Sequence, residues 1–396
     1  MPLSGILDIG LGAGLTPNAF TNSMRVMMLP PHDTAWPRLA PIAAGFDPVR
    51  LAAAIAFAEA HESAWRRDLR AQLESGNFEP PPDNAIIGPV ASRGPPNGLL
   101  LRHGRLVASW GDTRQVDMTF SVAKSYLSLL AGLAVDDGLI SDLDEPICCT
   151  VDDGGFEGPH NGTVTWRQML QLTSEWEGSL FGKSEQIDRN RSLASEFAGR
   201  PAGTKGAARP LRAPGTFWEY NDVRVNRLSL ALLRRFGRPL PEVFADRIMR
   251  PLGASPDWSW HGYDTSFVEV AGRRVQSVSG GGHWGGGVFI HAEDQARIGQ
   301  LMLDRGRWGD TLVLPEQWIT ASTTPCALNP RYGLFWWLNS DGSYQPSAPR
   351  DSFFAIGAGG NVTWIDPAHD LVAVLRWIDS SKLDAWIALV LGAITD

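Results

Sequence analysis

Two side chains in this sequence could do covalent chemistry together. Ser121 and Lys124 stand three residues apart in Met118-Thr-Phe-Ser-Val-Ala-Lys-Ser-Tyr-Leu-Ser-Leu-Leu-Ala-Gly-Leu-Ala-Val-Asp-Asp-Gly138. Apolar Val122, Leu129, Leu130 and Leu133 recur at mixed three- and four-residue spacing, and Gly138 supplies a stop, so the stretch predicts a helix that begins at Ser121. Residues three apart share a helix face, which points the hydroxyl and the amine into one small volume. A serine is a poor nucleophile until a neighbour takes its proton, and a desolvated lysine can do so. The helix start adds free N–H groups and a partial positive charge, both favourable to an attacked carbonyl. Ser-x-x-Lys alone occurs by chance in many helices, so the chemistry needs further groups.

Two later segments offer them. Pro214-Gly-Thr-Phe-Trp-Glu-Tyr-Asn-Asp222 sets Tyr220 at a loop-to-helix junction; a phenol there can carry a proton between a serine, a lysine and a leaving group. Phe354-Ala-Ile-Gly-Ala-Gly-Gly-Asn361 reads as a glycine-rich strand edge. Backbone without side chains can approach a substrate closely and present N–H groups to an oxyanion, which makes this edge, with Gly357 in it, a candidate substrate contact. Asp222 reads equally as a helix cap and as a substrate contact. The run Gly280–Gly287, with His283 and Trp284 inside it, reads as flexible and is expected to border the cleft. Trp284 is therefore a candidate substrate contact, and His283 fits a satisfied loop histidine better than a catalytic one.

Other chemistries find less support. No histidine pair has zinc-ligand spacing with a cysteine or carboxylate partner, so no metal is expected. Cys326 has no flanking nucleophile signature, and three cysteines, two of them adjacent, make no disulfide framework. Residues 6–15, Ile-Leu-Asp-Ile-Gly-Leu-Gly-Ala-Gly-Leu, imitate a nucleotide-binding turn. A Pro- and Met-rich stretch follows instead of a helix and an acidic partner, so a loose N-terminal extension and no cofactor are expected. A net charge of -8 argues against nucleic acid and against a polybasic membrane patch. No apolar run reaches a membrane span, and the first residues lack a basic signal start, so a cytoplasmic location is expected. Sixteen tryptophans exceed ordinary usage, and some are expected to line an apolar pocket.

These residues need a frame. Asp47-Pro48 opens a helix that runs to His61. Gly98–Gly111 reads as a β-hairpin turning at His103-Gly104. From Ser121 to about Pro251 the pattern is mostly helical, with a capping box at Thr165–Gln168, a helix from Asn221 to Phe236, and a long loop from Phe181 to Pro214 of the kind that covers sites. Beyond residue 260 come a helix from Ala292 to Leu303, strand-like runs at Tyr332–Leu338, Asn361–Ile365 and Leu371–Ile378, and a closing helix from Ser381 to Ile394. A hairpin near the start and strands near the end must form one sheet, with the helical block inserted between them. The implied division is an extension over 1–46, a sheet domain from 47–115 plus 285–396, and a helical domain over 116–284, with the site between them.

With these motifs in order, residues 95–380 resemble the serine hydrolases related to class C β-lactamases and penicillin-binding proteins. That family carries a Ser-x-x-Lys helix, a Tyr-x-Asn loop and a Lys- or His-Thr-Gly strand, matched here by Ser121–Lys124, Tyr220–Asp222 and Ala355–Gly357. The resemblance implies an α+β, β-lactamase/transpeptidase-like fold and a small-molecule ester or amide substrate cleaved through an acyl-enzyme on Ser121. Lys124 and Tyr220 would share the proton path, with the base left open between them, and the Ser121 and Ala358 amides would form the oxyanion hole. Asp222 stands where Asn is usual, and Ala355 replaces the basic residue that holds a β-lactam carboxylate. The alanine is similar to 6-aminohexanoate-dimer hydrolases and some family esterases, and Asp222 is expected to disfavour anionic substrates. A β-lactamase, a D-amino-acid peptidase or transacylase, and a non-catalytic ligand-binding relative are the alternatives.

Overall fold

The computed structural model describes residues 35–191, 193 and 204–395; the glycine turn at residues 6–15 lies outside them, as does most of the expected extension. The frame is a six-stranded antiparallel sheet. Its order runs Trp337–Leu338, Phe353–Gly357, Asn361–Asp366, Leu371–Arg376, Asn97–Arg102, Arg105–Trp110. The hairpin near the start therefore pairs with the last strand, Leu99 opposite Val374 and Leu101 opposite Val372. Apolar runs such as Leu99-Leu-Leu101 and Leu371-Val-Ala-Val-Leu375 are buried on every residue, as expected of strands covered on both faces. Trp386 of the helix Leu383–Gly392 packs against Trp110 and Trp364 on one face. On the other lies the helix Ala292–Leu303, whose Gln295 donates to Thr363 Oγ1 at 2.7 Å. The helix Pro48–Ala60 is capped by Asp47 and packs on the C-terminal helix.

The block from 116 onward holds the helix Val122–Asp136, packed between the strand Phe353–Gly357 and the helix Asp222–Phe236. Its fifteen residues are almost all buried, so the serine sits at the end of a core helix rather than a surface one. The expected capping box at Thr165 and Gln168 is present. The expected helical domain over 116–284 needs one correction. Ser259–Val270 and Arg273–Val278 form a long hairpin that joins Gly287–Ile290 and Asp117–Met118 in a second sheet. Polar residues along its first strand hide the alternation, although Val268-Glu-Val-Ala-Gly-Arg-Arg-Val275 does carry a two-residue turn between alternating runs. A second correction concerns Tyr332–Leu338, of which only Trp337 and Leu338 are strand; Phe335 turns the chain at φ 62°.

A third correction concerns Gly280–Gly287, which is buried backbone rather than a flexible run. A Cβ on Gly281 would sit 2.7 Å from Asp222 Oδ1 and 3.0 Å from Lys124 Nζ. Glycine is needed there for room, because the chain passes directly over those two side chains.

Candidate active site

The strand Asp117–Met118 delivers the chain to Ser121, and buried groups hold that strand in place. Arg376 Nη2 donates to the Met118 carbonyl at 2.9 Å, and the Trp377 indole donates to Asp117 Oδ2 at 2.7 Å. Phe120 then adopts φ 52°, with its ring among Trp65, Phe78 and Trp377. A bulky residue in the left-handed region is costly and persists only where packing over-determines it. The turn leaves Ser121 at the helix N-cap, yet its side chain caps nothing. Instead Lys124 Nζ donates to Ser121 Oγ at 2.9 Å.

The third segment meets them from the sheet. A Cβ on Gly357 would stand 1.9 Å from the Thr119 carbonyl oxygen and 3.2 Å from Ser121 N, so the strand edge lies directly against the loop before the helix. The Ser121 and Ala358 amides donate no hydrogen bond among the described residues, and both residues line one cavity of about 290 Å³. Tyr220 and Gly357 line the same cavity, beside an apolar wall that includes Phe78, Trp337, Tyr344 and Leu383. Tyr220 stacks on Trp337 at 6.0 Å and 13°, and its hydroxyl has no hydrogen-bond partner among the described residues. Lys124 Nζ stands 4.7 Å from the centre of the Tyr220 ring.

Lys124 is buried, which works against its charge, but the Asp222 carboxylate and the nearby Tyr220 outweigh that and hold it above the ordinary lysine value. Burial likewise opposes the charge on Asp222; Lys124 and Arg191 overcome it and keep the carboxyl well below its usual range. Asp222 Oδ1 accepts from Lys124, and Oδ2 accepts from Arg191 and lies 2.9 Å from His283 Nδ1. The resting site thus contains an ammonium, a carboxylate and a guanidinium in contact.

Two expected substrate contacts do not reach the cavity. The helix cap is Asn221, whose side chain accepts from Arg224 N at 3.1 Å, and Asp222 occupies the first turn with its carboxylate turned inward. It is 3 % exposed and absent from the cavity lining, because three cationic or polar partners consume its oxygens. Trp284 is also sealed: its ring stacks on His283 at 4.0 Å and its indole donates to the Asp83 carbonyl at 2.8 Å. Sequence reasoning missed Arg191, Phe78, Trp337 and Tyr344. Trp336-Trp337 near the third motif was a usable signal for one of them, whereas nothing in sequence distinguishes Arg191 from the other arginines of its loop.

Behind the cavity a charged lattice pins the Tyr220 loop. Glu175 accepts from Arg209 Nη2 at 2.8 Å and from Arg224 Nη1 at 2.9 Å. Burial would raise its carboxyl, but the Arg209 hydrogen bonds and the Arg224 charge bring it down to about 2. Glu79, Asp188 and His283 bring potential metal-ligand atoms within 4.8 Å of one another, a cluster that sequence spacing did not reveal. Lys205 already sits on Glu79 and lies 3.3 Å from Asp188, so a protein cation already pairs with both carboxylates.

The beta-lactamase family profile matches residues 99–377, and the chain belongs to that family. It is 24% identical over 315 residues to the 6-aminohexanoate-dimer hydrolase of Paenarthrobacter ureafaciens, covering 73% of this chain and 72% of that one. Solved structures with the same fold include a penicillin-binding protein homologue from Caulobacter crescentus (TM-score 0.54, 16% identity, 88% of this chain and 99% of the other). A family VIII carboxylesterase superposes with a TM-score of 0.53 at 16% identity, over 75% of this chain and 92% of the other. Among the described residues no helix is long and apolar enough to cross a membrane.

Proposed function

We propose that this protein is a serine hydrolase that cleaves an ester or amide bond of a small substrate through an acyl-enzyme on Ser121. The observation that carries the reading is the 2.9 Å contact between Lys124 Nζ and Ser121 Oγ beside a cavity bordered by two amides that donate no hydrogen bond among the described residues. A carbonyl carbon seated beside Ser121 Oγ would direct its oxygen toward the Ser121 and Ala358 N–H groups, which stabilise the charge that develops there. Lys124, held as ammonium, stabilises the serine oxygen as its proton leaves. Tyr220 lines the same cavity with a hydroxyl that has no hydrogen-bond partner among the described residues, and it relays that proton to the departing alcohol or amine. Water then attacks the acyl-enzyme by the reverse path. The absence of a basic side chain at Ala355, which is buried and does not line the cavity, favours esters and linear amides over β-lactams.

The test is labelling of folded protein with a fluorophosphonate, together with turnover of p-nitrophenyl esters of short acids. Covalent modification mapped to Ser121 and ester turnover lost in Ser121→Ala support the reading. A folded protein that neither takes the label nor turns over any ester overturns it.

A further inference from the structure

We propose that Arg191 forms an anion subsite in this cavity, so that preferred substrates carry a carboxylate close to the scissile bond. The inference rests on the serine-hydrolase reading and adds the class of substrate. Among the described residues that line the cavity, two are charged, Arg191 and Lys205, and both are cations. The carboxylates that accompany them, Glu79, Asp188 and Asp222, stand behind the wall. The surface offered to a substrate is therefore positive, which attracts anions into a low-dielectric cleft.

The two cations are not equally available. Lys205 donates to the Phe78 carbonyl at 2.9 Å and to Glu79, and lies 3.3 Å from Asp188, so its three N–H groups are committed. Arg191 directs all its pairing through Nη1, to Asp222, Asp188 and His283. Its Nε and Nη2 take no partner among the described residues, although the side chain is only 11% exposed. Those two N–H groups form the parallel pair that grips a carboxylate bidentately. The guanidinium lies 5.1 Å from the Tyr220 ring centre and 5.7 Å from that of Phe78, so the free edge is held in place. Neither atom is sealed in the core, since Arg191 lines the cavity, and a ligand carboxylate would engage both at once.

The location suits a substrate group. Arg191 and Lys124 share the Asp222 carboxylate, and Lys124 touches the Ser121 hydroxyl. The expectation that Asp222 repels anionic substrates therefore reverses, because its charge is already engaged by Lys124 and Arg191. With Ala355 contributing no charge, the anion grip has moved from the strand to the loop that carries Arg191.

The experiment compares matched esters with the full chain. On the acyl side these are p-nitrophenyl butyrate and the p-nitrophenyl half-ester of glutaric acid; on the leaving-group side, phenyl acetate and 4-acetoxybenzoate. The readout is the ratio of kcat/KM for the charged over the neutral partner, in wild type, Arg191→Met and Arg191→Lys. Because Arg191 also pairs with Asp222, absolute rates will fall in the variants, and the ratio carries the result. A charge-assisted pair predicts a preference of roughly tenfold or more for one carboxylated partner, lost in Arg191→Met and partly kept in Arg191→Lys. Glutarate itself should inhibit p-nitrophenyl butyrate turnover by the wild type, less strongly as salt is raised, a readout that needs no variant to fold. Neutral esters turned over at least as well as both charged partners, or a preference unchanged in folded Arg191→Met, would overturn the subsite while leaving Ser121 labelling intact. Loss of labelling and of all turnover in the wild type would instead overturn the underlying reading.

Discussion

Gly357→Ala tests the oxyanion geometry with a single methyl group. The new Cβ would lie 1.9 Å from the Thr119 carbonyl oxygen, which is backbone and cannot rotate away. Opening that contact to even 3.0 Å moves the strand edge back by about 1.1 Å. Ala358 is the next residue, so its amide retreats from Ser121 by a similar amount. A displacement of about 1 Å is worth on the order of 100-fold in rate, close to the loss of one oxyanion donor, about 3 kcal/mol. The overpacking itself should lower stability by about 1–3 kcal/mol, a few degrees in melting temperature. The assay is kcat for p-nitrophenyl acetate, with fluorophosphonate labelling rate as a second measure and a thermal melt as control. Both rates should fall together while the protein stays folded at 25 °C. A variant that melts within a few degrees of wild type and retains kcat within about threefold would refute the idea that this edge presents the second donor.

Other outcomes follow from the same geometry. Lys124→Ala should abolish detectable ester turnover and slow labelling of Ser121 by at least about 100-fold, read by mass spectrometry after a timed exposure. Asp222→Asn removes the anion that holds Lys124 above its ordinary value, so the Lys124 titration moves to lower pH. If Lys124 works as the ammonium, the alkaline limb of the kcat/KM profile shifts down; a downward shift of the acid limb instead would identify Lys124 as the base. Glu175 titrates at about 2 in the folded protein against 4.5 unperturbed, so it contributes stability above pH 4.5 that is lost as pH falls toward 2. Glu175→Gln should therefore lose about 3 kcal/mol at pH 7, and the gap to wild type in urea melts should narrow at pH 3. Penicillins should be turned over poorly or not at all, because the carboxylate grip lies on the loop at Arg191 and not on the strand at Ala355; efficient hydrolysis of nitrocefin would contradict the weight placed on Ala355.

Much of the frame could be read in the chain because period and punctuation agreed. Asp47-Pro48 and the Thr165 capping box each carry local chemistry that fixes an element end without help from tertiary contacts. The hairpin Ser259–Val278 was hidden because its first strand carries His261, Asp264, Thr265 and Glu269, polar residues that blur a period of two. The glycine run misled in another way. Glycine signals either freedom or lack of room, and only the third dimension reveals Lys124 and Asp222 beneath Gly281. Asp222 itself shows the limit of local reading: Asn-Asp before a helix leaves either residue able to cap, and the choice fell to Asn221 because distant cations claimed the carboxylate. Arg191 could not be singled out at all, since its role depends on which of its nitrogens remain unpaired.

The departures at 222 and in the loop belong together physically. A carboxylate at 222 is buried, and a buried charge persists only when paired. Here one oxygen fixes the amine that touches Ser121 and the other fixes the guanidinium that borders the cavity. An asparagine has one acceptor oxygen and an NH2 group that can only donate, so it could accept from one of the two cations and would match neither charge, leaving Lys124 and Arg191 less firmly held. The two sites should then respond as one unit. In a double-mutant cycle of Asp222→Asn and Arg191→Met, scored by kcat/KM for a neutral ester, the combined loss should fall short of the summed single losses by on the order of 0.5–3 kcal/mol. Strict additivity, with both variants folded, would mean that Arg191 and Lys124 meet Asp222 independently, and that the loop arginine contributes nothing to how the Lys124 amine is held.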